Sequence, residues 1–202
     1  EALMAAGPDL VIDMGEIKGS KETMIDDLDR LQKDIITPLI FIEAYLDNTP
    51  DVYRKLGALL GAEERGESLA SFAKDAIEMA RDARERIDDP VTVYYSTSPD
   101  GLEAIAEGNF HGEVIEKIGA KNVVPSAFGE SSSAVSMEQL YIWDPDVILL
   151  SEKEAYDEAT TDDMWSMLRA VEEGRVYLVP SEPYSFIDAP PATNRIIGIY
   201  WL

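Results

Sequence analysis

Residues 66–87 read GESLASFAKDAIEMARDARERI. Leu69, Phe72, Ala73, Ala76, Ile77, Ala80, Ala83 and Ile87 recur at i, i+3, i+4 and i+7, with Lys, Asp, Glu and Arg on the opposite side. That period predicts one amphipathic helix with a single apolar face. At 1.5 Å per residue it would extend about 33 Å, the width of a small domain. Asp88, Asp89 and Pro90 end it, since proline cannot donate into a helical ladder, and a strand-like run opens at Val91. The helix therefore reads as a rod joining two blocks: residues 1–60 before it, residues 61–90 forming the link, and residues 91–202 after it.

On either side of the rod, strands and helices alternate. Short apolar runs at residues 10–14 and 38–42 flank a helical stretch with Ile25, Leu28 and Leu31 on one face, and similar runs recur at 91–95, 147–150 and 175–179. Helical spacing fills residues 110–118, 164–171 and 191–201. This alternation predicts an α/β fold of two lobes, each a mainly parallel sheet flanked by helices, joined by one long backbone helix. An internal repeat supports the division: EALMAAGPDLVI at 1–12 aligns without a gap on EQLYIWDPDVIL at 138–149. Glu, Leu, Pro and Asp coincide, and aliphatic residues follow each Asp, so each copy reads as a short helix, a Pro-Asp turn and a buried strand. Ser136 is placed to N-cap the second helix, with Gln139 at the capping-box position.

Composition removes several function classes. The 202 residues carry 40 Asp and Glu against 17 Lys and Arg, a net charge of −23, which repels nucleic acid and anionic membrane surfaces alike. Hydrophobic residues make up 46%, enough to build a core. The longest apolar runs, at residues 35–42 and 147–150, fall well short of the roughly 20 residues of a membrane span. The absence of cysteine excludes disulfides, thiol catalysis and Cys-based zinc sites. No leader is visible; residues 1–7 read as the end of a helix running into Pro8, so the chain reads as a processed or truncated piece of a longer one.

Catalytic signatures are missing: there is no Gly-x-Ser-x-Gly elbow, no Walker loop and no Gly-x-Gly-x-x-Gly after a strand. The expectation is a protein that is not an enzyme and carries no cofactor. His111 is the sole histidine and reads as a loop or capping residue, so no metal ligand set is expected. The run containing Asp26, Asp27 and Asp29 lacks the glycine turn of a calcium loop and reads as a solvated helix face. Asp162 and Asp163 read as the N-terminal turn of a helix.

Further blocks follow in a set order: Tyr94-Tyr95-Ser96, GNFHGEVIEKIGAKNVV at 108–124, VSMEQL at 135–140, WDPDVIL at 143–149 and PPATNRIIGIYWL at 190–202. Together with the rod and the paired Pro-Asp strands, they resemble the helical-backbone substrate-binding proteins of ABC importers, most closely the iron-siderophore, haem and cobalamin group. The likeness covers essentially the whole chain and is stronger from residue 91 onward. Members of that class carry a first strand and helix ahead of the segment matching residues 8–12, so the resemblance implies that only part of the first lobe is present.

The resemblance implies an extracytoplasmic subunit, periplasmic or lipid-anchored at the cell surface, acting as a monomer. It would capture a metal chelate (ferric siderophore, haem or a cobalamin-like molecule) between the lobes and deliver it to an ABC permease and its ATPase subunits, the long helix limiting lobe motion to a small hinge. Such importers read one acidic residue on each lobe through permease arginines, a pairing suited to oriented charge-assisted hydrogen bonds. Glu138 matches the second-lobe position, and Glu22 the first, with Glu16 as its alternate. Ligand contacts are expected from loops at the carboxyl ends of strands. That places Met14 and Gly15 on one side, and Tyr95, Ser96, Asn109, Phe110, His111, Ser131, Ser132, Ser133, Tyr184, Ser185 and Phe186 on the other. Three alternatives stay open: a molybdate or tungstate oxyanion binder of the same fold using backbone N–H groups and hydroxyls around Ser96 and Ser131 to Ser133, an α/β enzyme whose cofactor motif lies in a missing N-terminal part, and a two-lobed cofactor-assembly protein.

Overall fold

The computed structural model describes residues 2–17, 19–129, 132–190 and 193–202. Its contacts divide the chain into two units, Glu1–Ser71 and Phe72–Leu202, and the division falls inside the long helix. The architecture is α/β with mainly parallel strand pairing.

In the first unit, α1 (Ala2–Ala6) leads to β1 (Val11–Gly15), and α2 (Lys21–Ile35) crosses over to β2 (Leu39–Glu43). The two strands pair in parallel, Val11 opposite Leu39 and Gly15 opposite Glu43. Ser20 caps α2 by accepting the Thr23 N–H at 3.1 Å, as a serine with extended backbone does at a helix start. The helix stops at Ile36, whose left-handed φ of 56° is unusual for a β-branched residue. The Gln32 side-chain oxygen then accepts the Leu39 N–H at 2.9 Å, tying the helix end to the next strand. A 3-10 turn (Leu46–Asn48) and α3 (Thr49–Leu60) follow.

Helix α4 spans Glu63–Arg84, three residues earlier than the apolar period suggested. Two local causes move its start. Gly61 terminates α3 in the left-handed region, and Glu63 and Glu64 then place carboxylates at the positive end of the new helix. Gly66 lies inside the helix because α3 crosses there: a Cβ on Gly66 would lie 2.7 Å from the Tyr53 carbonyl oxygen and 3.0 Å from the Gly57 Cα. The far end loosens into tighter turns at Arg86 and Ile87. The buried stripe consists of Ala70, Ala73, Ala76 and Ala80, whereas Phe72 is 43% exposed and stacks on Tyr200 at 5.7 Å. The apolar period thus located the helix correctly, but small side chains form its buried seam.

The second unit is built on a six-stranded sheet in the order β6-β4-β3-β7-β8, with β5 also pairing β3. Strands β3 (Thr92–Ser96), β5 (Lys121–Asn122), β7 (Val147–Leu150) and β8 (Val176–Leu178) run parallel, while β4 (Glu103–Ala104) and β6 (Ser133–Ala134) add an antiparallel edge. Along β3 and β7 the side chains alternate between two covered faces. Tyr94, Ile148 and Leu150 enter one core cluster with Leu140, Trp165 and Leu168; Val93, Tyr95 and Leu149 are buried on the opposite side.

The helices of this unit are α5 (Glu113–Lys117), α6 (Met137–Trp143), α7 (Lys153–Ala159), α8 (Arg169–Glu172) and α9 (Asn194–Trp201). The stretches expected as single helices at 110–118 and 164–171 are each split, a 3-10 turn preceding a short α-helix, because Leu168 takes an extended conformation and Gly112 leaves the helical region. The last helix starts at Asn194; Pro191 and Ala192, where its beginning was expected, lie outside the described residues.

The repeat has a structural counterpart. Gly7 after α1 and Asp144 after α6 occupy equivalent positions, and both are left-handed, with φ of 57° and 39°. Its second Pro-Asp also locks the sheet. The Asp146 carboxylate accepts the Thr92 N–H at 2.9 Å and hydroxyl at 2.7 Å, and the Arg169 guanidinium lies 2.8 Å away. These bonds, the Thr92 backbone donor first, hold the carboxyl at about 2.

Candidate functional site

Strands β3, β7 and β8 end abreast, Ser96 beside Leu150 and Leu150 beside Leu178. Their following loops therefore leave one edge of the second unit's sheet, the carboxyl edge at which open α/β sheets hold ligands. Residues 97–101 follow β3, Ser151 and Glu152 follow β7, and the long segment 179–190 follows β8.

Tyr95 anchors this edge from below. Its side chain is fully buried and its hydroxyl lies 2.9 Å from Ser151 Oγ. Burial pushes the phenol far above its ordinary range, the nearby Asp188 charge adds to that, and the Ser151 and Ser185 hydroxyls pull back. The phenol therefore serves as a neutral hydrogen-bonding group at any physiological pH.

His111 approaches from the side, on the 3-10 turn Phe110–Gly112, where the Asn109 side-chain oxygen accepts its backbone N–H at 2.8 Å. Its Nδ1 pairs with the carboxylate of Asp188. The imidazole is 32% exposed and the carboxylate only 11%, so the ring presents itself outward while Asp188 backs it. Ser185 shapes the loop that carries Asp188: its Oγ accepts the backbone N–H of Ile187 at 3.4 Å and of Asp188 at 3.3 Å.

Helix α9 supports both segments. Arg195 is 1% exposed; it donates to the Phe110 carbonyl at 3.1 Å and to Glu113 at 3.0 Å, and its guanidinium carbon sits 4.2 Å above the centre of the Phe110 ring. A buried guanidinium so paired orients the turn bearing His111. One turn further, a Cβ on Gly198 would fall 2.1 Å from the Phe186 carbonyl oxygen, so only glycine lets α9 pass this close beneath the loop. Phe186 also meets Trp201 edge-on at 6.5 Å.

The remaining expected contacts scatter. Phe110 is buried under Arg195, and Ser96 is fully buried, its Oγ donating to the Glu103 carbonyl at 2.8 Å. Ser132 Oγ donates to the Glu103 carboxylate at 3.1 Å and Ser133 Oγ to the Phe128 carbonyl; Ser131 lies outside the described residues. Tyr184 is 58% exposed on the loop after β8. In the first unit, Met14 and Gly15 end β1, and Glu22 is exposed in the first turn of α2. Glu138 is exposed in the first turn of α6, where its own backbone N–H and then the Ser136 hydroxyl hold its carboxyl below the ordinary range. That turn is capped as expected, Ser136 Oγ accepting the Gln139 N–H at 3.2 Å.

Tyr95 and His111 are thus brought to one place by residues that periodicity does not single out: Ser151, Asp188, Arg195 and Gly198. Arg195 carried the only available signal, a charge set among the apolar residues of the last helix. Among the described residues, no group of three or more His, Asp or Glu side chains is placed to hold a metal ion. Among the described residues, no helix is long and apolar enough to cross a membrane either.

Residues 1–183 match the family model described as periplasmic binding protein. The chain is 27% identical over 138 residues to an Fe(3+)-citrate-binding protein of Bacillus subtilis, covering 67% of this chain and 43% of that one. Among solved structures it is similar to an ABC transporter solute binding protein from Sulfurospirillum deleyianum, with 30% identity and a TM-score of 0.89 over 99% of this chain and 62% of that one. A periplasmic solute binding protein from Veillonella parvula aligns at 25% identity with a TM-score of 0.77, over 99% of this chain and 60% of that one. The chain therefore spans less than two thirds of the length of each of these proteins.

Proposed function

The chain belongs to the periplasmic binding protein family, and from that premise we propose that it is the extracytoplasmic solute-binding component of an ABC importer. Its cargo is a small-molecule metal chelate of the ferric siderophore, haem or cobalamin type, handed to a permease driven by ATPase subunits. The observation that carries this reading is the family match over residues 1–183, and the similarity to a solute binding protein along 99% of the chain supports it. The protein binds and releases its cargo without transforming it.

Residue chemistry favours a chelate over an oxyanion. An oxyanion pocket needs hydroxyl and N–H donors facing its ligand. Here the Ser96, Ser132 and Ser133 hydroxyls already donate to Glu103 and Phe128 acceptors. The exposed carboxylates Glu138 and Glu22, each in the first turn of a helix, are the permease contacts in this reading. The Glu138→Arg variant is the test. It should abolish stimulation of the permease ATPase while ligand affinity stays unchanged, and parallel loss of both would overturn the docking role.

A further inference from the structure

The sheet of the first unit has an open edge. Its two strands pair with each other, and among the described residues no third strand joins them. The Val11 N–H donates to the Pro38 carbonyl and the Ala44 N–H to the Gly15 carbonyl, both at 2.9 Å. The even-numbered residues of β2 thus turn their backbone groups to β1, and by the alternation along a strand Leu39, Phe41 and Glu43 turn theirs outward. Side-chain amides satisfy two of these outward groups: Gln32 accepts the Leu39 N–H at 2.9 Å, and Asn48 Nδ2 donates to the Glu43 carbonyl at 2.7 Å. The Phe41 N–H and C=O, the Leu39 C=O and the Glu43 N–H have no partner among the described residues. Helix α3 flanks this edge across a groove of about 400 Å³, to which it contributes Asp51, Val52, Lys55 and Leu59. Asn48 also lines the groove, and its Oδ1 is buried without a hydrogen-bond partner.

A strand edge with free donors and acceptors is a template for another strand, and every copy of the chain carries a matching one. We propose that two copies of this protein associate through β2, antiparallel about a two-fold axis at Phe41, to make one four-stranded sheet. In that register the Phe41 N–H and C=O bond those of Phe41 in the second copy, and each Glu43 N–H bonds the opposite Leu39 C=O. The Gln32 and Asn48 amides, both in exposed bonds, swing aside to admit the strand. Charge fits the same register. Asn48 stands beside Glu43, and Phe41 lies two residues back, about 6.6 Å along the strand. That distance is about four residues of helix, so the axis passes near Val52 and Tyr53 of α3. Asp51 and Lys55 lie on either side of that point, and the two-fold sets Asp51 of each copy against Lys55 of the other. Lys55 is exposed and makes no ion pair among the described residues, and Asp51 shares Arg54 with Glu67, which takes two of its nitrogens. The interface is small and each copy carries a charge of −23, so association is weak and strengthens as salt screens the repulsion between copies. This pairing departs from the monomer implied by the family resemblance and does not depend on which cargo is bound.

Sedimentation velocity over a range of protein concentrations, from low salt to about 1 M NaCl, tests it. A monomer–dimer equilibrium should appear, with a dissociation constant that falls about tenfold as salt rises over that range. Phe41→Pro removes the central N–H of the edge and should weaken the dimer about tenfold. Should that variant lose the fold of the first unit, a charge exchange on α3 decides at intermediate salt. Lys55→Glu alone should weaken the dimer about threefold, and Lys55→Glu combined with Asp51→Lys should recover it, with the circular dichroism of both unchanged. A protein that stays monomeric at every salt concentration overturns the pairing. So does a dimer that survives Phe41→Pro with native circular dichroism, or a charge exchange that fails to restore association. Each of these results leaves the transport role proposed above untouched, since that role is read from ligand binding and permease stimulation.

Discussion

Asp146→Asn isolates the interaction that joins β3 to β7. The substitution keeps the shape of the side chain and removes its charge. The native carboxyl titrates at about 2 against an ordinary 3.8, a displacement of nearly two on the pH scale. At about 1.4 kcal/mol for each, the ceiling is about 2.5 kcal/mol. Solvent reaches both partners, with Asp146 29% and Arg169 44% exposed, so screening reduces the expected loss to about 1–1.5 kcal/mol at pH 7. Because the folded-state value is lowered, the stabilisation is complete above the unfolded value of 3.8 and disappears as pH falls through about 2. Urea denaturation of both proteins at a series of pH values measures the difference. The gap should be constant from pH 7 to about 5 and close toward pH 2, where the protonated aspartic acid and the amide become equivalent. A gap that persists undiminished at pH 2, or its absence at pH 7, would refute the assignment of this stability to the ionised carboxylate.

Two further substitutions probe backbone demands. Ile36 is 87% exposed at a left-handed φ of 56°, so Ile36→Asn should stabilise the protein by about 1 kcal/mol and raise its Tm by a few degrees, measured by calorimetry. Gly198→Ala sets a methyl group 2.1 Å from the Phe186 carbonyl oxygen, so α9 or the loop 179–190 must move. A loss of about 1–3 kcal/mol in denaturation and a weakened chelate affinity are expected together, and a stable variant with unchanged affinity would show that the loop is not held from below.

Much of the fold was legible because its signals are local. The strands at 147–150 and near residues 10–14 and 38–42 announce themselves as short aliphatic runs, and the long helix through its i, i+3, i+4 spacing. Ser136 declared itself as a cap through a spacing of three residues, and the capping bond is present. The two-residue strands β4, β5 and β6 carry no such signal, since they are too short to show alternation and exist only where a neighbour supplies hydrogen-bond partners. Helix α4 shows where period and packing part company. The spacing marks the correct face region, yet alanines occupy the buried seam while Phe72 stacks in the open on Tyr200.

Sequence alone determined the α/β alternation, the Pro-Asp repeat and, through the Ser136 cap, the position of Glu138 in the first turn of its helix. Each of these is written in residues a few positions apart, where helical and strand periods act. Only the tertiary structure decided the chemistry of the candidate site. His111 meets Asp188 from 77 positions away, Arg195 closes over Phe110, and Gly198 admits the carbonyl of Phe186. Such meetings depend on which loops share one edge of a sheet and on what packs beneath them, and no periodicity along the chain encodes that.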